Sequence, residues 1–570
     1  MNFELNYTLE ELEKRTSEEC FTEIKLLDLE SPEYLSLNEE DKLCLKHLCR
    51  ASQYIDKIHF KMENELNEEF LSFLNNEIEK GNRRALLTKK LFLAQKSMFS
   101  PDIDGNEVVL CKNVKKPFGF GFPSDLSVEE FHKILNKMLD NGKYDEVQNI
   151  LTQRSIVKRK GKELIGIDYV NEYKEEFLST AEELKKASEY TKDENFKKYL
   201  LLQIDALINA NPKLDALADK QWAELSDTVL EFTITRETYN DRMTESIFSN
   251  ESLLNKIEKA GIEINTKDNL GVRVGIVNKE GTKLLHDLSK LVDIAGEYMP
   301  YKEEYTTKAL DDENEISQTA VDVDVVCLNG EEGAFQAGIV LAQNLPNNDK
   351  LSLRIGGGRR NVYHRQIRNS NLNQKLIEAK ISPKFVQYYN QEASHWGTIC
   401  HENTHSLGPD GNKSLGAYSS ILEEFKADMG MYCFLDIFVK KGLFTEIQAK
   451  QIMVTELSSC FPKGKPVMEQ AHRVRSVMIA QRMMLEGALL FDSEGKLEFD
   501  FEKVISTSKK MMQEVIRLQL DKNVKNAEDY VNKYFNYDSN FEKMAELQKK
   551  FSKRLNSYLS MPIYNKAIND

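Results

Sequence analysis

The chain has 570 residues, of which 41% are hydrophobic and 30% charged, and a formal net charge of −15. These proportions exclude a disordered chain, allow more than one core, and argue against nucleic acid or an anionic membrane as a general partner. The opening MNFELNYTLEELEKR lacks the basic and apolar regions of a secretory signal, no window approaches about 18 apolar residues, and the eight cysteines show no CxxC spacing, so a soluble cytoplasmic protein with reduced thiols is expected.

The first quarter reads as helix. NEEDKLCLKHLCRASQYIDKIHFKMENEL and NRRALLTKKLFLAQKSMF both carry apolar residues at helical spacing. A turn, SPDIDGNE, leads to the aromatic and glycine run KPFGFGFPSDLSVEEFHKIL, where Ser127 and Glu130 have the spacing of a capping box. YKEEFLSTAEELKKASEYTKDENFKKYLLLQIDALINA predicts a pair of helices, and TVLEFTITRETY has the β-branched alternation of a strand. AVDVDVVCLNGEEGAFQAGIVLAQNLPNNDKLSLRIGGGRRN is strand-like and glycine-rich, but has no phosphate-loop spacing ahead of a helix. From about residue 373 helix dominates again, with no repeats and no long linker.

Within that last stretch, ISPKFVQYYNQEASHWGTIC leads into HENTH with no breaker after Pro383, Gly397 being its weak point, and Gly408-Pro409 ends the helix. The motif is HExxH: His401 and His405, four apart, share one helix face, with Glu402 between them. Two imidazoles and a carboxylate so placed suit a metal ion and a general base. A third ligand is needed. The HExxHxxGxxH pattern fails, because Gly411 stands where its third His would be. The following helix, SSILEEFKADMGMYCFLDIFVKKG, supplies Glu424 as ligand and, one turn on, Asp428 to fix a ligand His from behind, with Glu423 available for a further such bond. His395, about 240° around the helix from His401, reads as an ordinary polar contact, and Cys400 faces another side.

HExxH paired with EEFKAD resembles the dipeptidyl peptidase III metallopeptidases, and especially their shorter bacterial members. The resemblance runs through most of the chain: LNEEDKLCLKHLCRASQYIDKIHF, FGFGFPSDLSVEEF, NEYKEEF, RETYNDRM, NLPNN and AHRVRSVMIAQRMMLEGALL are similar to landmarks of that family, in its order. It implies an α-rich α+β protein of two lobes around a wide cleft, a helical zinc-binding lobe and a mixed lobe with a β-barrel-like core. The segments expected are 1–257 in the mixed lobe, 258–326 in the helical lobe, 327–372 back in the mixed lobe with a peptide-binding segment, 373–540 as the zinc-binding lobe, and 541–570 as a helical tail.

The resemblance also implies roles that spacing alone does not give. Glu237 matches a carboxylate for the substrate's free ammonium, and Tyr239 a phenol that steadies the tetrahedral intermediate. Asn344 and Asn347 match amides that hold the peptide's N-terminal end, and His472 a histidine that bonds substrate or transition state. The expected activity is hydrolysis of short peptides, releasing dipeptides from the free N-terminus, with one zinc ion per chain and a monomer or homodimer as the working unit. The chain departs from the family pattern twice. It has HExxH where typical members have one more residue between the histidines, and Ser476 where an Arg often follows His472 by four, with Arg475 one place earlier. Two rival readings stay open: a zinc aminopeptidase or endopeptidase on the same core, and a non-catalytic peptide-binding protein. The intact Glu402 speaks against the second, since binding alone needs no general base.

Overall fold

Apolar stripes at helical spacing need partners, and here they find them in separate cores. A computed structural model of the chain describes residues 2–570 apart from 103–105, 210, 226, 238–240, 306–318, 331–341, 346–358, 363–372, 410–414, 417 and 469. Helix α1 (Glu39–Glu63) starts where the Asn38 side chain accepts the Asp41 N–H, and it buries Cys44, Leu48, Ile55, Ile58 and Met62. That face packs on α2 (Lys174–Tyr190) and on the middle of the sheet described next. Ser127 caps its helix as its sequence suggests, but the Glu130 carboxylate turns to Arg159, so only half of the expected capping box forms.

After α3 (Pro212–Ala223) comes a five-stranded sheet. Its strands are β1 (Leu230–Glu237), β2 (Asn269–Val277), β3 (Thr319–Asn329), β4 (Ala342–Leu345) and β5 (Arg359–Val362), in the spatial order β1-β2-β3-β5-β4. β1, β2 and β3 pair antiparallel, β3 and β5 parallel, and β5 and β4 antiparallel. All nine residues of β2 are buried, so the strand is covered on both faces. Among the described residues the expected barrel-like core does not form: the sheet is open, with β1 and β4 as its unpaired edges.

Helix α4 (Lys279–Glu297) lies between β2 and β3 in sequence. The C-terminal helices follow: α5 (Gln391–His405), α6 (Ser419–Tyr432), α7 (Glu446–Ser459), α8 (Ala471–Leu485) and α9 (Phe501–Asp521). Leu285, Leu291 and Ala295 of α4 join these helices in one core that reaches Met544, whereas β2 and β3 join the N-terminal helices in another. Segment 258–326 is thus divided: the later part of α4 shares the core of the C-terminal helices while the helix also packs on β3, and the strands share the core of the N-terminal helices. The tail is divided too, since Asn556–Ser560 pairs in parallel with Phe21–Lys25 and Ile563, Tyr564 and Ala567 enter the sheet's core. Two smaller cores, Phe122 to Ile262 and Phe3 to Val114, complete an α-rich α+β architecture. Among the described residues, no helix is long and apolar enough to cross a membrane.

Two glycines set how tightly α5 is held. A Cβ on Gly430 of α6 would lie 1.7 Å from Thr404 Oγ1, so α5 and α6 cross where one has no side chain. A Cβ on Gly397 would lie 2.9 Å from Glu456 Cγ of α7, and the helix runs through that residue unbroken. The approach to α5 is less continuous than its sequence suggests. A single turn, Pro383–Val386, ends before Asn390, whose side chain caps a new helix by accepting the Glu392 N–H.

Candidate metal centre

The spacing of His401 and His405 on α5 turns both rings toward α6, which crosses at the Gly430 contact. There each ring meets a carboxylate through Nδ1: His401 Nδ1 lies 2.7 Å from Asp428 Oδ1, and His405 Nδ1 lies 3.0 Å from Glu423 Oε1. A carboxylate accepts, so each Nδ1 carries the proton and each Nε2 is left as a lone pair. The two Nε2 atoms face each other at 3.1 Å, and Glu424 oxygens lie 3.4 Å from His401 Nε2 and 3.9 Å from His405 Nε2. Such a group is held together by a shared proton or by a cation. Ligand atoms of all three residues lie within 4.8 Å of each other. A tetrahedral ion with bonds of about 2 Å spaces its ligands about 3.3 Å apart, and two imidazoles with one carboxylate are a donor set that suits zinc. The residues present fit that ion.

The carboxylates behind the rings are themselves held. Asp428 accepts His401 on one oxygen and the Arg475 guanidinium on the other, while Arg475 Nε lies 3.7 Å from Glu424 Oε2. Glu423 accepts His405 and, at 2.9 Å, the ammonium of the buried Lys426, and its second oxygen takes Gln519 Nε2 at 3.0 Å. Lys426 also donates to the Leu407 carbonyl at 2.5 Å, tying α6 to the end of α5. Burial raises the Glu424 carboxyl, but His472, His401 and His405 around it hold it well below the usual carboxylate range. Glu424 in turn raises His472, whose Nδ1 is 3.1 Å from Glu424 Oε2. The His472 side chain is 65% exposed, so solvent screens that pair.

No protein-family model matches the chain. It is 23% identical over 455 residues to Nudix hydrolase 3 of Arabidopsis thaliana, an alignment covering 74% of this chain and 54% of the plant protein. The chain therefore spans about half the length of that relative. Its structure is similar to dipeptidyl peptidase III from Caldithrix abyssi, with a TM-score of 0.79 and 20% identity over 98% of this chain and 100% of that one. It is similar also to dipeptidyl-peptidase III from Corallococcus sp. strain EGB, with a TM-score of 0.77 and 17% identity over 98% of each chain. The chain has the dipeptidyl peptidase III fold.

Within the dipeptidyl peptidase III fold, helices α5, α6 and α8 bring His401, His405, Glu424, Asp428, Glu423 and His472 together, with Glu402 half-buried between the two histidines on α5. Residues expected to bind the peptide lie on the sheet. Glu237 ends β1 opposite Asn269, and Asn344 sits in β4 opposite Arg360; both are described for their backbone alone. β4, which carries Asn344, packs against α5, the HExxH helix. Tyr239 and Asn347 lie outside the described residues. His395 is buried, with Nε2 3.9 Å from Asp322 Oδ2 of β3.

Three residues of the centre escaped the sequence reading. Lys426 had a signal, its three-residue offset from Glu423 on one helix. Arg475 stood out only as a departure from the family pattern, and nothing local pointed to Gln519, 96 residues from its partner. The departure now has a physical reading. Ser476 Oγ donates to the His472 carbonyl at 2.8 Å within its own helix, whereas the guanidinium one residue earlier turns to Asp428.

Proposed function

We propose that this chain is a zinc-dependent peptidase that releases dipeptides from the free N-terminus of short peptides. One observation carries the reading: two imidazole lone pairs and a carboxylate converge beside Glu402, in a chain with the dipeptidyl peptidase III fold. His401, His405 and Glu424 hold one ion per chain, while Asp428 and Glu423 keep both rings in the tautomer that offers Nε2. A bound zinc ion would supply Lewis-acid polarisation of the scissile carbonyl and of the attacking water. Glu402 takes the proton from that water and passes it to the leaving amine. His472 and Tyr239 donate hydrogen bonds where negative charge develops on the carbonyl oxygen. Glu237 pairs with the substrate's ammonium, and Asn344 and Asn347 hold the adjoining backbone. The net charge of −15 favours such cationic ends over nucleic acid. The two lobes follow the cores, with 373–540 as the catalytic lobe, and the working location is the cytoplasm.

The test is digestion of a mixed peptide library by purified protein, read by mass spectrometry with a chelator control. Dipeptides should accumulate from unblocked N-termini, and chelation should stop their release. Internal cleavage regardless of the distance from the N-terminus would make the enzyme an endopeptidase. Release of single residues would make it an aminopeptidase, and no cleavage by the metal-loaded protein would leave a binding protein.

A further inference from the structure

A second charged cluster sits behind the strand end that carries Glu237. Arg236 Nη2 donates to Asp215 Oδ1 at 2.7 Å and its Nη1 lies 3.6 Å from Asp219, so its guanidinium bridges two carboxylates of α3. Asp215 uses its other oxygen for Arg154, and Arg154 Nε reaches Asp268 Oδ2 at 3.2 Å. Asp215 and Asp268 are essentially inaccessible to solvent. The register of the sheet gives this chain of charges its meaning. Glu237 pairs with Asn269, so Arg236 immediately precedes one member of that pair and Asp268 the other.

The far side of the segment is held as well. Asp241 accepts the Lys267 N–H at 2.9 Å on one oxygen and the Thr244 N–H at 2.9 Å on the other. Its backbone bridges to Gly119, where a Cβ would come 2.6 Å from Met243 Cβ and 3.1 Å from Asp241 Oδ1. Arg236 and Asp241, which flank Glu237 in the sequence, are thus two anchors fixed to different parts of the N-terminal half.

Burying several ions costs more than packing apolar side chains of the same volume, so such a network is a poor choice for stability alone. It is a good choice for fixing a backbone, because a guanidinium fork tolerates little rotation. We propose that Arg236, through Asp215, Arg154 and Asp268, is a positioning residue that holds the Glu237–Asn269 pair where the substrate's ammonium is recognised. The proposal rests on the reading of Glu237 given above and adds to it a set of residues that touch no substrate.

The experiment compares one peptide with its N-acetylated form on full-length, zinc-loaded wild type, Arg236→Lys, Asp215→Asn and Glu237→Ala, with zinc content and the thermal transition recorded for each. Lysine keeps the charge of Arg236 but can reach only one carboxylate, so Arg236→Lys should keep its zinc and fold. Its KM for the free peptide should rise about tenfold with kcat within about twofold, and its kcat/KM for the acetylated peptide should not move. Asp215→Asn should show the same split. An equal loss on both peptides, or wild-type discrimination in both variants, would overturn the proposal. Loss of zinc or of a cooperative transition in Arg236→Lys would make the cluster a folding element and overturn it equally. If wild type itself fails to discriminate, the Glu237 reading is at fault. If Glu237→Ala abolishes discrimination while the cluster variants retain it, only the positioning role falls.

Discussion

The two charged clusters of this molecule differ in what they leave over. In the helical core, carboxylates take the imidazole protons, and the opposite ring nitrogens are left as lone pairs 3.1 Å apart beside Glu424. Behind β1, every carboxylate meets a guanidinium, an ammonium-bearing residue or a backbone N–H, and Lys267 Nζ donates to Ile150 O, Thr152 O and Ser155 Oγ. The first set offers three donor atoms that could hold a cation; the second pairs its carboxylates with cations of its own, although Asp268 Oδ1 is buried without a hydrogen bond. Counting acidic groups would not separate them, since both hold several. Which atoms have protons to give does separate them: one presents the donor set of a candidate metal centre, and the other suits the proposed brace.

The largest expected effects fall on the open cluster. Glu402→Gln keeps the shape of the base and removes its proton affinity, so zinc and peptide should still bind while kcat falls by roughly 10²- to 10⁴-fold. Glu424→Ala removes one of three ligands and should strip the metal during dialysis against a mild chelator, which elemental analysis reads directly. Turnover retained in Glu402→Gln with only a raised KM would move that residue from the chemistry to substrate binding. Zinc retained in Glu424→Ala would break the ligand assignment, and with it the contrast between the clusters.

Much of the open cluster was legible because it is local. HExxH and the pair Glu424 and Asp428 are statements about one helical turn, and periodicity alone puts such residues on one face. Asn390 shows the limit of that reasoning, since a polar residue inside a helical pattern serves as a cap and starts a new helix. The barrel-like core was expected from resemblance, and the strands that decide the matter pair non-locally: β5 inserts between β3 and β4, out of chain order. The closed cluster was not legible at all. Its members come from the 150s, from α3, from the end of β1 and from just before β2, and each alone looks like a surface charge. The HExxH helix announces itself, whereas the brace exists only once the sheet register sets Arg236 and Asp268 diagonally on either side of the Glu237–Asn269 pair.

The closed cluster should answer to pH. Burial pushes the Lys267 ammonium down from its ordinary 10.5 to about 8, against the pull of Asp241 and Asp268. A lysine depressed in the fold is still protonated in the unfolded chain up to its ordinary value. Its contribution is therefore fully favourable above about 10.5 and is lost as pH falls toward 8. The displacement is worth about 3 kcal/mol. Urea unfolding of wild type and Lys267→Met at pH 7 and pH 10 isolates it, because the other titrating groups are common to both proteins. The stability of wild type relative to the variant should rise by up to that amount at the higher pH. No change would mean that Lys267 keeps an ordinary ammonium in the fold, and that its three acceptors offset its burial completely.

The smallest effect gives the sharpest contrast, because it applies one substitution to both clusters. Asp428→Asn leaves a carbonyl that can still accept the His401 proton, but removes the negative charge and turns an NH2 group toward the Arg475 guanidinium. Two donors then face each other, and His401 loses basicity and the charged partner that holds its ring, so zinc affinity should fall by roughly 10- to 100-fold. Because His405 keeps its own bond to Glu423, the ion that remains bound should turn over near the wild-type rate. Asp215→Asn makes the same change in the closed cluster and should leave zinc affinity where it was, since that carboxylate's partners are Arg154 and Arg236. Competition titration against a chromophoric chelator measures both variants on one scale. A drop in both would mean that the two clusters are coupled through the fold, and a drop in neither would mean that His401 holds its orientation by packing in α5 rather than by its carboxylate.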